Sequence, residues 1–383
     1  MSIHFTKEEF SERKEKVIKE LNREGLDALL MFRQESMYWL TGYDTFGFVF
    51  FQCLILTNKG DLILLTRAPD LRQAQNTSII KDIRIWVDKD RSNPSDELKS
   101  ILSELNLEKS NLGVEYESYG LTGRNTIKLN NSLKNFAKLK DKSELISCLR
   151  VIKTTSEITY VKKAAELADQ AMEAAWKCIH AGANESKILA EMQGIIFKNG
   201  GDYPANNFII GSGENALLCR YQSEKRILDQ EDQISIEWAG TFKHYHSALF
   251  RTILIGKENI KQKKMHEACV EALKACENKL KPGIEAGEVF DEHAKVFDKL
   301  GYKKSRMNAC GYSLGATFPP NWMDWPMLYT GNPYVIKPGN VFFMHMILMD
   351  SDNQLAMNLG ETYLVTKSGN KRLGKKKLDL VVI

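Results

Sequence analysis

The sequence predicts an α+β protein of two domains: a smaller mixed α/β unit over residues 1–152 and a larger unit over 153–383. Three observations lead there. The chain has 383 residues, more than one ordinary core accommodates. Helix and strand signals alternate through the first part. The second part carries a weak internal repeat of helix pairs, as a duplicated helix-and-sheet unit would.

In the first part, residues 7–24 read as a helix with Phe10, Val17, Ile18 and Leu21 on one stripe. The apolar runs 28–32 and 48–56 read as buried strands, and 62–65 follows as a strand after the turn at Lys59-Gly60. Residues 83–87 form another strand and 96–105 a helix. On the strand expected over 48–56, Phe48 and Phe50 share a face with Phe46 just before it.

Ser156 is placed to cap a long helix whose apolar positions are Ile158, Val161, Ala165, Ala168, Met172 and Ala175. That helix opens the second domain at about residue 153. Beyond it, Ala181-Gly182-Ala183-Asn184 with Ile188, Leu189, Ile195, Ile196 and Gly200 aligns without a gap on Pro282-Gly283-Ile284-Glu285 with Val289, Phe290, Val296, Phe297 and Gly301. Each copy is a helix, a glycine turn and a second helix. Two copies would lay helices over one face of a sheet and leave a pocket on the other.

The composition is that of a soluble globular protein. Lys and Arg number 53 against 49 Asp and Glu, a formal charge of +4, too mild to call for nucleic acid. The basic cluster Lys371, Arg372, Lys375, Lys376 and Lys377 reads as a solvated tail. No apolar leader follows Met1, and the apolar stretch near 46–56 is too short to span a membrane. Seven unpatterned cysteines fit reduced thiols. Together these point to a cytoplasmic protein.

Six short motifs appear in order over residues 149–369. They are Leu149-Arg150-Val151-Ile152-Lys153, Ser212-Gly213-Glu214-Asn215-Ala216, Glu237-Trp238-Ala239-Gly240 with Ser247-Ala248-Leu249-Phe250-Arg251-Thr252, Gly311-Tyr312-Ser313-Leu314-Gly315, Pro338-Gly339-Asn340-Val341-Phe342 and Leu364-Val365-Thr366-Lys367-Ser368-Gly369. In this order they resemble the creatinase and aminopeptidase P superfamily. The resemblance implies a pita-bread catalytic domain preceded by a creatinase-type N-terminal domain. It also implies a homodimer in which the second copy's N-terminal domain caps the site, with Tyr43 and Phe46, near the start of the expected strand, where such a cap would form.

Peptidases of the superfamily hold two metal ions with two Asp, one His and two Glu. Carried over position by position, the resemblance puts Glu237, Ala248, Tyr312, His345 and Gly360 there, with Glu361 one step past the last. One carboxylate and one imidazole do not make a dinuclear site, so no metal and no cofactor are expected. A His that handles protons in relatives is replaced by Arg220, which is no base near neutral pH but pairs well with a substrate carboxylate. Within the superfamily the chain is most similar to the ectoine hydrolases. Glu237, Tyr245-His246, Tyr312-Ser313, Pro319-Pro320 with Trp322, and Glu361 carry that likeness.

Without metal, cleaving a C–N bond needs a nucleophile or an activated water and a proton donor. Glu237 is the candidate nucleophile or base, against the plainer reading that it pairs with Arg220 or Arg251. His345 is a candidate proton donor or a packed core histidine, and Tyr312 a polarising hydroxyl or packing. Glu361 joins the catalytic set by resemblance. Arg220, Tyr245, His246, Phe318, Trp322, Asp324, Trp325 and Phe46 are the candidate substrate contacts. Aromatic rings around one acid suit a cation, and Arg220 suits a carboxylate. The expected substrate is therefore a small zwitterionic solute, ectoine-like or creatine-like, hydrolysed at a C–N bond. A lyase on a betaine or sulfonium solute, an Xaa-Pro dipeptidase-like metallopeptidase and a non-catalytic binding module are the alternatives.

Overall fold

A computed structural model describes residues 3–223 and 225–383. The chain divides into two compact units, Met1–Arg150 and Val151–Ile383. The first unit runs α1 (Lys7–Arg23), β1 (Ala28–Met31), α2 (Gln34–Thr41), β2 (Cys53–Thr57), β3 (Leu62–Arg67), α3 (Leu71–Thr77), β4 (Asp82–Trp86), α4 (Pro94–Glu104), β5 (Asn111–Val114), α5 (Gly123–Leu133), β6 (Lys138–Asp141) and α6 (Leu145–Arg150).

Its six strands lie in the order β4-β3-β2-β1-β5-β6. Both faces of β1 are buried, so the strand reads as an unbroken apolar run. Ala28 and Leu30 join Leu98, Ile101 and Leu129 on one side. Leu29 and Met31 join Val17, Leu21, Met37 and Leu40 on the other. This is a three-layer α/β/α unit.

One expected strand starts late. Residues 47–49 form a short 3-10 turn, and β2 begins only at Cys53. Phe46, Phe48 and Phe50 therefore do not share a strand face. Phe48 is buried, while Phe46 is 70% and Phe50 49% exposed.

The second unit runs α7 (Thr155–Cys178), α8 (Glu185–Lys198), β7 (Ile209–Ser212), β8 (Asp232–Phe242), β9 (Tyr245–Ile255), α9 (Ile260–Lys279), α10 (Ala286–Lys299), β10 (Gly311–Ser313), β11 (Asp324–Leu328), β12 (Val341–Asp350), β13 (Leu355–Thr366), β14 (Gly369–Arg372) and β15 (Val381–Val382). The main path of the sheet is β11-β10-β12-β13-β9-β8-β7, with β14 on β13 and β15 on β9. Thr154, not Ser156, caps α7. Its side chain accepts from the Glu157 amide while Glu157 accepts from the Thr154 amide, a reciprocal box that Ser156, with no acid at the matching position, cannot make.

The repeat persists in three dimensions. Glu185 against Ala286 and Lys198 against Lys299 keep the 101-residue offset at both ends of α8 and α10. The glycines before and after them are left-handed at matching places: Gly182 and Gly283 at φ 82° and 89°, Gly200 and Gly301 at 78° and 85°.

The helices cover one face of the sheet. Met265, Ala272, Val289 and Phe297 pack on Phe342, Met344, Met346, Leu359 and Tyr363. Against β8 the approach is closest. A Cβ on Gly240 would sit 2.0 Å from the Ala164 carbonyl oxygen, so the alanine face of α7 and this glycine are required together. The basic cluster near the C-terminus is partly docked rather than free: the Lys375 amide donates to Asp169 at 3.0 Å and Lys376 pairs with Glu173. Among the described residues no helix is long and apolar enough to cross a membrane.

Candidate active site

Strand register decides which side chains share the open face. Glu237 pairs with Phe250, Phe250 with Gly360, Gly360 with His345, and Phe343, two residues from His345, with Tyr312. Directly opposed residues point the same way, so Glu237, His345 and Tyr312 lie on one face. That is the face opposite the helices.

Glu237 is 8% exposed. Tyr312 donates its hydroxyl hydrogen to Glu237 Oε1 at 3.1 Å, and Oε2 bonds no described residue. Burial pushes the Glu237 carboxyl up to about 7, against the opposing pull of the Tyr312 hydrogen bond and the Arg220 charge. Burial also lifts the Tyr312 phenol well above its usual range, helped by the Glu237 charge, so Tyr312 stays a protonated donor. Trp322 Nε1 donates to Tyr312 Oη at 2.9 Å.

His345 is buried, with Nδ1 bonded to nothing described. Burial first, then the Arg220 charge, holds its imidazole down at about 4. It is neutral at pH 7 and is not a standing imidazolium. Its ring lies 5.7 Å from Tyr312 and 5.5 Å from Phe343. Arg220 is exposed on the turn after β7. It is close enough to act on Glu237, Tyr312 and His345 through its charge, yet it makes no ion pair with a described residue.

The remaining candidates divide. Glu361 pairs with Met344, and the β12–β13 register runs without a break from Val341 to Asp350. Glu361 therefore points to the helix face, where Arg251 binds it. The same pair removes Arg251 as a partner for Glu237. Tyr245 also faces the helices and donates to Glu157 Oε1 at 2.6 Å.

His246 is on the open face, but both ring nitrogens are engaged. Nε2 accepts from the Ala205 amide at 2.9 Å and Nδ1 meets Thr317 Oγ1 at 3.2 Å. Burial pushes its pKa down to about 3, so it holds loops rather than moving protons. The expected aromatic cage does not assemble. Phe318 stacks on His244 at 4.2 Å, Trp325 meets Tyr334 at 5.1 Å, and Trp322 is taken up by Tyr312. Asp324 accepts from the neighbouring Trp325 amide. Phe46 belongs to the other unit and stands exposed there.

Phe343 is the residue that the sequence did not single out. A Cβ on Gly360 would meet the Phe343 ring at 2.6 Å. The ring thus occupies the place beside the strand where the resemblance puts the last metal-binding Glu. Parity with His345 was the available signal. Among the described residues no three His, Cys, Asp or Glu side chains converge as a metal-binding group. The donors at the five ligand positions are one carboxylate, one imidazole and one phenol, and this set does not fit a pair of divalent ions.

A smaller α/β/α unit followed by a helix-backed sheet, with titratable side chains on its open face, is the creatinase-type, pita-bread architecture. The chain belongs to metallopeptidase family M24: residues 159–367 match that family, and residues 13–152 match the creatinase/prolidase N-terminal domain. It is 26% identical to an ectoine hydrolase of Halomonas elongata, over 100% of this chain and 99% of the relative. It is 28% identical to an Xaa-Pro dipeptidase of Pyrococcus horikoshii, over 97% and 99%. Among solved structures, the prolidase from Pyrococcus horikoshii superposes with a TM-score of 0.84 at 25% identity, covering 97% of this chain and 100% of that one. A prolidase from Thermococcus sibiricus gives 0.88 at 21%, covering 98% and 99%.

Proposed function

We propose that this protein is a metal-independent hydrolase that opens a C–N bond, an amide or cyclic amidine, in a small zwitterionic solute of the ectoine or creatine type. The observation that carries the proposal is Glu237: a buried carboxyl on the open face, held through one oxygen by Tyr312, with the other oxygen unbonded and no set of metal donors around it among the described residues. The full-length likeness to an ectoine hydrolase supports the substrate class.

In its ionised form Glu237 either attacks the electrophilic carbon or takes a proton from water that attacks it. Water adds across the C–N bond, and the leaving nitrogen takes up a proton. Tyr312 donates toward the charge on Glu237. His345, neutral at rest, becomes a proton donor only after it has accepted one. Arg220 is the candidate partner for the substrate carboxylate. A lyase on this pocket would use Glu237 or a tyrosinate as its base, and the raised Tyr312 phenol disfavours only the tyrosinate. An Xaa-Pro dipeptidase-like activity is the second reading, favoured by the Pyrococcus relatives and disfavoured by the donor set.

Mass analysis of products from a panel of ectoine, creatine, betaines and Xaa-Pro dipeptides separates these readings. The expected product is ring-opened ectoine, heavier by one water, or from creatine two fragments whose masses sum to creatine plus one water, with Arg220→Lys raising KM about tenfold and leaving kcat nearly unchanged. Turnover of Xaa-Pro dipeptides alone, or an alkene product, would sink the proposal. A homodimer also belongs to it, with exposed Phe46, Val49 and Phe50 as the apolar surface offered to a second copy. Light scattering at micromolar concentration checks this, and a monomer counts against it.

A further inference from the structure

Trp322 entered as a wall of a cation cage, and the fold gives it a different task. It is 1% exposed. Its indole nitrogen lies 2.9 Å from Tyr312 Oη, which lies 3.1 Å from Glu237 Oε1. We propose that Trp322 is a positioning residue: its N–H fixes the direction of the Tyr312 hydrogen bond and so selects Oε2 as the oxygen of Glu237 that meets the substrate. The selection of an oxygen rests on Glu237 being the reacting group; the direction of the hydrogen bonds does not.

An indole N–H donates and never accepts, while a phenol has one hydrogen to give. With Trp322 donating into the Tyr312 oxygen, the phenolic hydrogen has Glu237 Oε1 as its acceptor among the described residues. Accepting one hydrogen bond also strengthens the one Tyr312 donates. The chain Trp322, Tyr312, Glu237 is therefore one-way, and it ties down Oε1. Trp322 has firm backing. The His246 ring lies 6.3 Å from it and is itself fastened by the Ala205 amide and Thr317. The other titratable or charged groups that bear on Glu237 are Cys219 and Arg220 from the turn after β7, and His345 on β12 shares its face. None of these reproduces the effect of a neutral donor aimed at Tyr312.

The test needs no substrate. The infrared band of the protonated Glu237 carboxyl is assigned as the one lost in Glu237→Gln, then titrated in wild type, Trp322→Phe and Tyr312→Phe. The donated hydrogen bond favours the charged carboxylate, so weakening it must raise the midpoint. Trp322→Phe is expected to move it up by about half a unit to one unit, and Tyr312→Phe by more. A wild-type midpoint in Trp322→Phe would reduce Trp322 to packing and overturn the proposal, whatever Tyr312→Phe does. If Trp322→Phe does not fold, benzothienylalanine at 322 keeps the ring outline, lacks the N–H and must give the same shift. Because the titration reads no turnover, it stands or falls separately from the proposed reaction, which is lost if Glu237→Gln remains active.

Discussion

Two buried glutamates on one sheet meet opposite fates. Glu361 on β13 faces the helices and is bound by Arg251. Glu237 on β8 faces the open side, has a phenol on one oxygen, and has no cation in direct contact among the described residues. Burial raises the pKa of both. The difference lies in what is done about the buried charge. Glu361 is compensated on the spot, as a structural carboxylate must be. Glu237 is left half-compensated, with a carboxyl near 7 that is poised to exchange protons at physiological pH. Each glutamate leaves one oxygen unbonded among the described residues, so the contrast lies in the cation: a guanidinium holds the other oxygen of Glu361 and only a phenol holds that of Glu237.

Substituting both glutamates tests that contrast. In Glu237→Gln the largest effect falls on turnover, a loss of at least about a thousandfold with binding retained, as for other lost nucleophiles or bases. Stability should move the other way. Burial holds the wild-type carboxyl up at about 7, against an ordinary value of 4.5. The folded state therefore binds more protons in that window, and wild-type stability falls as pH rises through it. The variant escapes this and should be more stable by up to about 3 kcal/mol above pH 7, with the gain vanishing near pH 4.5. Glu361→Gln reverses the pattern. It leaves Arg251 buried without its charge partner and should cost roughly 3 kcal/mol or more of stability, while kcat of the folded fraction stays within about threefold. Denaturant unfolding and steady-state kinetics on the two variants check both halves. Equal effects at the two sites would dissolve the distinction.

Much of this was legible in the sequence, for identifiable reasons. The helix pair repeat survived because glycines with positive φ mark both ends of each copy. Strand parity correctly set Glu361 one step out of line with Gly360, and the unbroken register shows that no bulge rescues it. Resemblance, not periodicity, had put Glu361 among the catalytic residues. Other features were not legible. The apolar run 48–56 looks like one strand, but its first residues turn, because a local apolar pattern does not say where the backbone begins to pair. The aromatic cage failed because composition brings rings near one another in sequence without fixing their partners. The indole N–H of Trp322, the detail that matters, is satisfied by a residue ten positions earlier, Tyr312 on β10. Phe343 escaped notice because a phenylalanine in an apolar strand carries no chemical signal of its own.

The central claim is that an ionised Glu237, without metal, drives the reaction. The measurement that tests it most directly is the pH dependence of kcat/KM for ectoine hydrolysis, made on protein freed of divalent ions by chelation. The account predicts full activity after chelation and an ascending limb with a midpoint near 7, set by the Glu237 carboxyl. Activity abolished by chelation and restored by two equivalents of a divalent ion would contradict it.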